Sequence, residues 1–384
     1  RISLISATAR AEAKSRGEFL SNMSHEIRTP LNGIIGLIHL MQQNIGDHER
    51  MTGYLRKSDS TAKYLLSLVN DILDMSKLQS DKMVLVPKPF SVDELVSTTE
   101  SLMRSRMEDK EIDFRVETSI ICSNLIGDDM RIEQILVNIL GNAVKFTPEG
   151  GTIDFIVEEI PGSDQNQVRY RFTIRDTGIG IEPQFLEHLF DPFARSSQVG
   201  QIEGTGLGLS ITRGLIELMN GSLQVESQVG QGSTFVIELA CEPELNGNPD
   251  GERPAEGSLS PQADTTLEGR RFLIVEDNLI NAEILSGILE LADAEFEVCY
   301  DGKQAVRRFS EQPEGYYDAI LMDIQMPVMN GYEATRVIRQ LKRADAGQIP
   351  IVAMTANAFA EDVEASVAAG MSAHVAKPID LDLL

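Results

Sequence analysis

Residues 24–30 read Ser24-His25-Glu26-Ile27-Arg28-Thr29-Pro30 and lie inside a helical pattern of apolar residues. The apolar stripe has the seven-residue repeat of a packed helix and comprises Leu20, Met23, Ile27, Leu31, Ile34, Ile38 and Met41. At about 100° per residue, His25 falls about 160° from the centre of this stripe. Its imidazole is therefore predicted to face solvent, and Thr29, one turn later, shares that face.

The chemistry of this segment centres on the imidazole of His25. A neutral imidazole nitrogen is a nucleophile, and the neighbouring carboxylate of Glu26 can orient the ring and accept its proton. A lone exposed histidine usually has no function, but two segments suited to phosphate chemistry follow in this chain. The stretch resembles the phosphoacceptor box of sensor histidine kinases. That resemblance implies that His25 takes a phosphoryl group, while Thr29 is suited to positioning water for its removal.

The composition indicates an acidic protein with several domains. Its 384 residues are 42% hydrophobic and 24% charged, which suits two or three globular domains. The formal net charge of −25 argues against a nucleic acid or an anionic membrane as a partner. Three widely spaced cysteines fit neither a metal site nor a disulfide framework, and they indicate a cytoplasmic location.

The start of the chain suggests a fragment of a longer protein. The helical pattern is already running at Arg1, so we expect an upstream sensor region that is missing from this sequence. No apolar run of about 18 residues is present, so neither a membrane span nor a signal peptide is predicted.

Residues 1–80 are predicted to form a helical hairpin. One helix runs to about residue 44 with a kink at Pro30, and a second helix follows a polar break and runs to about residue 78. Two amphipathic helices bury too little surface to stand alone, whereas two copies make a four-helix bundle. The hairpin therefore predicts a homodimer.

Residues 88–242 show an α/β pattern whose most informative helix is predicted over 129–146. Its apolar positions share one face, and the opposite stripe consists of Arg131, Gln134, Asn138, Asn142 and Lys145. A polar stripe is usually just the solvated face of a helix. Amides and a lysine at this spacing, however, suit a metal ion and phosphates better than bulk water.

Three glycine clusters follow this helix. Residues 176–180 come straight after a strand predicted over 170–175, residues 204–208 open a helix, and residues 230–235 form a turn between two strands. Free N–H groups and the dipole at a helix N-terminus favour phosphate. One Gly-x-Gly is more often a tight turn. Three such clusters in this order, with Phe190 and Phe193 between the first two, are a strong joint signal.

This set resembles the ATP-binding domain of histidine kinases, within the group that includes type II topoisomerases, Hsp90 chaperones and MutL repair proteins. The resemblance implies that Asn142 ligates Mg²⁺, that Asn138 and Lys145 contact phosphates, and that Asp176 hydrogen-bonds adenine. The other nucleotide-binding residues that we predict are Gly178, Gly180, Phe193, Gly204, Thr205, Gly206, Gly208 and Thr234, with 204–208 as the hinge of a lid. ATP-hydrolysing relatives carry a glutamate at the position of Asn138, and an amide is no general base.

Residues 243–268 are rich in Pro, Gly, Ser and Glu and are predicted to be a flexible linker.

Residues 269–384 then alternate between strands and helices. Five short parallel strands are predicted over 271–275, 295–300, 319–323, 349–354 and 373–376. Glu276, Asp277 and Asp323 follow or end the first and third strands, at the edge where such sheets bind ligands. Three carboxylates there repel one another unless a cation such as Mg²⁺ lies among them.

This segment resembles the receiver domain of response regulators. The resemblance implies that Asp323 is the phosphoacceptor and that Glu276 and Asp277 hold Mg²⁺ together with it. Thr355 and Lys377, at the ends of the fourth and fifth strands, are then expected to bind the phosphoryl group.

The fold class predicted is multidomain α and α/β. It combines a helical hairpin that forms a dimeric four-helix bundle, an α/β sandwich that binds ATP, and a doubly wound receiver with five parallel strands. The corresponding functional hypothesis is a hybrid sensor histidine kinase in which ATP phosphorylates His25 and the group then passes to Asp323. A histidine phosphotransfer domain or a response regulator is the expected downstream partner.

Three alternatives stay open at this point. The first is an ATP-driven conformational machine of the topoisomerase and chaperone type, against which Asn138 and His25 argue. The second is a signalling scaffold that binds nucleotide without transferring phosphate. The third is a hybrid kinase biased toward dephosphorylating its partner, which would share every motif.

Overall fold

The computed structural model describes residues 2–80, 82–160, 167–194, 205–244, 267–355 and 360–377. The chain divides into two compact units, Arg1–Gly251 and Glu252–Leu384. The predicted hairpin and the predicted ATP-binding domain therefore share one unit, and the predicted receiver forms the other. Among the described helices, none combines the length and the apolar character needed to cross a membrane.

The hairpin consists of α1 (Ile2–Gln43) and α2 (His48–Gln79). Asp47 caps α2, because its carboxylate accepts a hydrogen bond from the backbone N–H of Arg50 at 3.1 Å. Helix α1 continues through Pro30 without a break. Within the predicted apolar stripe, Leu31 and Ile38 are each 44% exposed. Part of the stripe is therefore not covered by α2.

The rest of the first unit is a mixed seven-stranded sheet with helices on one face. Its strands are β1 (Lys88–Ser91), β2 (Asp113–Ser119), β3 (Asn124–Gly127), β4 (Thr152–Ile160), β5 (Val168–Asp176), β6 (Ser222–Gln228) and β7 (Gly232–Pro243). Its helices are α3 (Val92–Glu108), α4 (Asp129–Phe146), α5 (Pro183–Leu186) and α6 (Gly208–Leu218). The strand order is β1-β3-β7-β5-β4-β2, and β6 also pairs with β7.

Helix α4 has the bounds that the sequence predicts, since its apolar residues repeat with helical spacing and pack on the sheet. Its fully buried side chains are Ile135, Leu136, Ile139 and Leu140. Asp128 caps its start by accepting from the N–H of Arg131 at 3.1 Å. Strand β7 continues to Pro243, so the predicted linker boundary at 243 lies inside the strand. Residues 245–266 of that linker lie outside the described residues.

Helix α2 is docked on α4 through a buried polar contact, which we call the Asp74 clasp. The Asp74 carboxylate is 6% exposed. Its Oδ2 accepts from Arg131 Nη1 at 3.2 Å and from Gln134 Nε2 at 2.8 Å. Arg131 and Gln134 were predicted to belong to the stripe that faces a metal and phosphates. Arg131 instead binds α2, because it lies on the first turn of α4, next to the hairpin.

A second contact joins α2 to the segment before α6. Thr205 donates from its hydroxyl to Asp71 Oδ2 at 2.8 Å. Burial raises the pKa of Asp71 to about 6, although the Thr205 hydrogen bond opposes this shift and the nearby Asp74 adds to it. The last turns of α2 also pack on α6, where Leu78 lies against Gly214.

The second unit is a parallel five-stranded sheet. Its elements are β8 (Arg271–Val275), α7 (Leu279–Leu291), β9 (Glu295–Cys299), α8 (Gly302–Glu311), β10 (Ala319–Asp323), α9 (Gly331–Arg339), β11 (Ile351–Thr355), α10 (Ala360–Ala369) and β12 (Ala373–Ala376). The strand order is β12-β11-β10-β8-β9, which is doubly wound as predicted.

Two of the predicted receiver strands have different bounds. Strand β11 begins at Ile351 and not at 349, because Ile349 N–H is bound to the Asp345 carbonyl at 2.8 Å and Pro350 has no N–H for the sheet. Strand β9 ends at Cys299 and not at 300, because the chain turns into α8, which Asp301 caps.

The Asp74 clasp yields a stability prediction. Replacing Arg131 with Met leaves a buried carboxylate without its counter-charge, which typically costs about 3–5 kcal/mol. We expect faster hydrogen exchange in residues 68–79 of the full chain, with the opening free energy lowered by about 3 kcal/mol because Gln134 still donates.

The matched control is the double variant Asp74→Leu with Arg131→Met, which removes both charges together. Its amide protection should be close to that of the wild-type chain. Wild-type protection of the same amides in Arg131→Met alone would contradict the role assigned to the clasp.

Candidate functional site

A cavity of about 630 Å³ lies beside α4 and α6 in the first unit. Polar side chains from α4, the end of β5 and the start of α6 meet there. The predicted nucleotide-binding residues that line it are Asn138, Asn142, Lys145, Asp176, Gly180, Thr205, Gly206 and Gly208. The size and this mixed lining suit a nucleotide.

Asp176 provides the buried acidic group of the cavity. It is the last residue of β5 and is 6% exposed. Its Oδ1 accepts from the N–H groups of Gly178 at 2.8 Å and Ser233 at 3.3 Å. Burial raises the pKa of Asp176 above its ordinary value, and these two hydrogen bonds partly oppose the shift. The carboxylate is thus fixed in orientation and can accept a hydrogen bond from a ligand.

Two glycines let the backbone come close to these side chains. A Cβ at Gly178 would lie 2.7 Å from Asp176 Oδ1, and a Cβ at Gly208 would lie 2.3 Å from Asn138 Oδ1. Neither position has room for a side chain. The glycine pattern therefore reflects close packing around Asp176 and Asn138, as well as tight turning.

The amide of Asn138 is held by α6. Its Nδ2 donates to Thr212 Oγ1 at 2.6 Å. An amide cannot take a proton from water at neutral pH. The Lys145 ammonium lies one turn past Asn142 on the same face of α4 and is 5.0 Å from the centroid of the Phe146 ring. Asn138, Asn142 and Lys145 thus form one polar face that can bind phosphates and a metal ion.

Some predicted residues do not line this cavity. Gly178 donates its N–H to the Asp176 carboxylate. Phe193 donates its N–H to the Gly206 carbonyl at 2.8 Å. Thr234 lies on the opposite face of β7, because side chains alternate along a strand. Ser233 and Phe235 line the cavity in its place. Gly204 lies outside the described residues.

Four further polar residues line the cavity and are not marked by any motif of the sequence. Tyr64, Ser67 and Asp71 lie on α2, outside the ATP-binding domain, whereas Arg106 lies on α3 within that domain. Polar residues on an amphipathic helix look like a solvated face in the sequence, so no pattern marked them. The three residues of α2 make the hairpin one wall of the cavity.

His25 is exposed on α1, and Thr29 donates from Oγ1 to the His25 carbonyl at 3.1 Å. The register of the hairpin places Gly33 of α1 opposite Thr61 of α2, because a Cβ added at Gly33 would lie 3.9 Å from the Thr61 side chain. Because the helices run in opposite directions, His25, eight residues before Gly33, lies level with Val69, eight residues after Thr61. The histidine is thus at the same height along the hairpin as the cavity wall.

The second unit contains a cluster of three carboxylates. Glu276, Asp277 and Asp323 each offer one oxygen, and these oxygens lie within 4.8 Å of one another. Glu276 is fully buried and Asp323 is 7% exposed. Carboxylate oxygens in this arrangement suit a hard divalent cation such as Mg²⁺.

Lys377 partly neutralises this cluster. Its Nζ lies 2.6 Å from Glu276 Oε2 and 2.8 Å from Asp323 Oδ2. Burial nevertheless raises the pKa of Asp323, while Lys377 lowers it and Glu276 raises it further. Thr355 ends β11 next to β10, and it is also buried. The five polar residues predicted for this edge of the sheet therefore lie at the ends of β8, β10, β11 and β12 or directly after them.

Comparison with known protein families gives three matches along the chain. Residues 15–81 match the His Kinase A (phospho-acceptor) domain. Residues 127–243 match the histidine kinase-, DNA gyrase B- and HSP90-like ATPase family, and residues 272–384 match the response regulator receiver domain. The three matches occur in the predicted order.

Curated relatives match the chain almost throughout. The autoinducer 2 sensor kinase/phosphatase LuxQ of Vibrio vulnificus (strain YJ016) is 34% identical, covering 97% of this chain and 42% of the relative. The sensory/regulatory protein RpfC of Xanthomonas campestris pv. campestris (strain ATCC 33913) is 31% identical, covering 96% of this chain and 53% of the relative. The chain thus spans about half the length of these relatives.

Among solved structures, full-length ShkA in complex with AMPPNP matches with a TM-score of 0.46 and 27% identity, covering 95% of this chain and 97% of that one. The three family matches and the relatives confirm the predicted combination of phosphoacceptor, ATPase and receiver domains. The chain belongs to the hybrid sensor histidine kinases.

Proposed function

We propose that this chain transfers the γ-phosphoryl group of ATP to His25 and then to Asp323. The observation that carries the proposal is the position of His25, which is exposed at the level where Ser67 and Asp71 of α2 line the cavity. The nucleophile and the cavity wall thus belong to the same stretch of the hairpin.

The residues of the cavity fit ATP as the substrate. Asp176 is the acceptor for the adenine amino group, because its carboxylate is buried and oriented. Asn142 would hold Mg²⁺, and Asn138 and Lys145 would contact the phosphates. When bound, Mg²⁺ supplies charge neutralisation to the triphosphate. Since Asn138 is not a base, the site favours transfer to an imidazole over hydrolysis.

In the first step, a nitrogen of His25 attacks the γ-phosphorus. An N–P bond forms, the bond from the γ-phosphorus to the bridging oxygen breaks, and ADP leaves. Glu26, the next residue on α1, accepts the proton that the imidazole loses.

In the second step, a carboxylate oxygen of Asp323 attacks the phosphorus on His25. An O–P bond forms, the N–P bond breaks, and the imidazole is released after taking up a proton. Glu276, Asp277 and Asp323 would hold Mg²⁺ there, while Lys377 and Thr355 bind the phosphoryl oxygens. The Lys377 ammonium already lies 2.8 Å from Asp323 Oδ2, so it is next to the carboxylate that would carry the phosphoryl group.

The hairpin acts as a homodimer in this proposal. Leu31 and Ile38 leave part of the α1 stripe uncovered, and a second hairpin would bury them in a four-helix bundle. We place the chain in the cytoplasm, as part of a protein whose upstream sensor is anchored in a membrane. A phosphotransfer domain or a response regulator receives the signal.

Removal of the phosphoryl group is a second candidate activity. Thr29 shares a face with His25 and donates its hydroxyl proton to the His25 carbonyl, which leaves the hydroxyl oxygen able to accept from water. The relative LuxQ is named a sensor kinase/phosphatase. Both activities are compatible with the same phosphoacceptor face.

Replacing His25 tests the proposed nucleophile. His25→Gln should abolish incorporation of label from radiolabelled ATP, because an amide nitrogen is no nucleophile. ATP affinity measured by calorimetry should stay within about twofold, since the cavity is not lined by His25. The matched control is His39→Gln, another exposed histidine on α1, which should label normally. Undiminished labelling of His25→Gln would refute the assignment.

Replacing Asp323 tests the proposed final acceptor of the phosphoryl group. Asp323→Asn should remove the label that is lost in base, and the label that is lost in acid should accumulate on His25. The reason is that the substitution removes the acceptor carboxylate but spares Glu276 and Asp277. Asp293→Asn, at an exposed acid with a left-handed backbone that Asn tolerates, serves as the control. Persistence of base-labile label at the wild-type level would show that another carboxylate accepts the group.

A further inference from the structure

The end of α3 is fixed against the end of α4. Met103 and Met107 of α3 are buried at 0% and 1% exposure. Just past α3, Lys110 Nζ donates to the carbonyls of Val144 at 2.8 Å and Thr147 at 3.2 Å. These contacts cap the last turn of α4 and hold the two helix ends together.

The starts of the two helices are also neighbours. Lys88, four residues before α3, has its Nζ 3.1 Å from Oδ1 of Asp129, the first residue of α4. Helices α3 and α4 therefore run side by side in the same direction. Arg106 precedes Lys110 by four residues, or about 6 Å along a helix. It thus lies near the level of Gly141 and Asn142.

Arg106 reaches the cavity at this level. It is one of the lining residues, as are Gly141 and Asn142. A Cβ at Gly141 would meet no atom within 4 Å, so no side chain fills the space beside Gly141. The guanidinium can therefore extend past Gly141 toward the end of the cavity where Asn142 and Lys145 lie.

The neighbouring arginine on α3 behaves differently. Arg104 is paired with Glu100, one turn earlier, and its guanidinium lies 5.9 Å from the centroid of the Phe114 ring. Among the ion pairs within the described part of the chain, none involves Arg106. Arg104 thus contacts its own helix and Phe114 of β2, whereas Arg106 lines the cavity.

The charge in the cavity gives Arg106 a role. ATP with one Mg²⁺ keeps about two negative charges, which cations in the site can offset. The described lining residues include two cations, Lys145 and Arg106, and three acids, Asp71, Asp176 and Glu182. Lys145 alone therefore leaves the bound triphosphate undercompensated. A guanidinium suits a phosphate because it can donate two parallel hydrogen bonds.

We propose that Arg106 is a second phosphate-binding cation of this site, reaching over Gly141 from α3 to the triphosphate held by Asn142 and Lys145. This rests on the proposed function, since it takes ATP as the ligand. It adds to the ATP-binding set a residue from outside α4 and the glycine clusters.

The test is calorimetric titration of the full chain with Mg·ATP and, separately, with adenosine. Arg106→Gln should weaken Mg·ATP binding about three- to tenfold and leave adenosine binding within twofold, because adenosine carries no phosphate. Arg106→Lys should recover most of the loss, since it keeps the charge. Arg104→Gln, the matched control on the same helix, should match the wild-type chain for both ligands.

Two results would overturn the proposal while the wild-type chain still binds ATP. One is an unchanged Mg·ATP affinity in Arg106→Gln. The other is an equal loss for ATP and adenosine, which would indicate a purely structural role on α3. Failure of the wild-type chain to bind Mg·ATP at all would instead refute the proposed function, and with it this inference.

Discussion

The buried contact of Asp74 with Arg131 and Gln134 is the interaction on which the geometry of the first unit depends. The carboxylate lies on α2 and its donors lie on the first two turns of α4, whose later turns carry Asn142. A buried carboxylate without its partners raises the free energy of the folded state. Other placements of α4 on α2 would break this contact and are therefore disfavoured. Because α1 packs along α2, the same contact sets the height of His25 relative to the cavity. A buried ion pair adds little net stability, and we regard specificity of docking as its contribution here.

The two candidate phosphate sites compensate their clustered charges in different ways. In the second unit, Lys377 lies between Glu276 and Asp323, and a divalent cation would complete the compensation. Burial raises the pKa of Asp323, and the hydrogen bond and charge of Lys377 oppose this shift. In the first unit, neutral amides on α4 replace most of the charge, and Asp176 is stabilised by backbone N–H groups. The first candidate site therefore needs cations only where phosphates would bind.

The sequence predicted those parts of the fold that depend on short-range patterns. Helix α4 and strands β8, β10 and β12 have the predicted bounds, because their apolar residues repeat regularly along the chain. Most of the polar face of α4 was predicted for the same reason. The face of β7 was misjudged at Thr234, since it depends on pairing of Ser233 with Asp176 across the sheet. The contribution of α2 to the cavity depends on how the hairpin docks, and that of α3 depends on how helices pack within the domain. Local periodicity encodes neither.

In the proposed reaction, ATP bound in the cavity phosphorylates a histidine before any other group. The decisive measurement is phosphorus-31 magnetic resonance of the full chain, followed over time after addition of Mg·ATP. We expect a phosphohistidine signal that appears as ADP forms, followed by an acyl phosphate signal that grows as the first one declines. Release of inorganic phosphate in step with ADP, with no phosphohistidine signal at any time, would refute transfer to His25 and indicate a hydrolysing conformational machine.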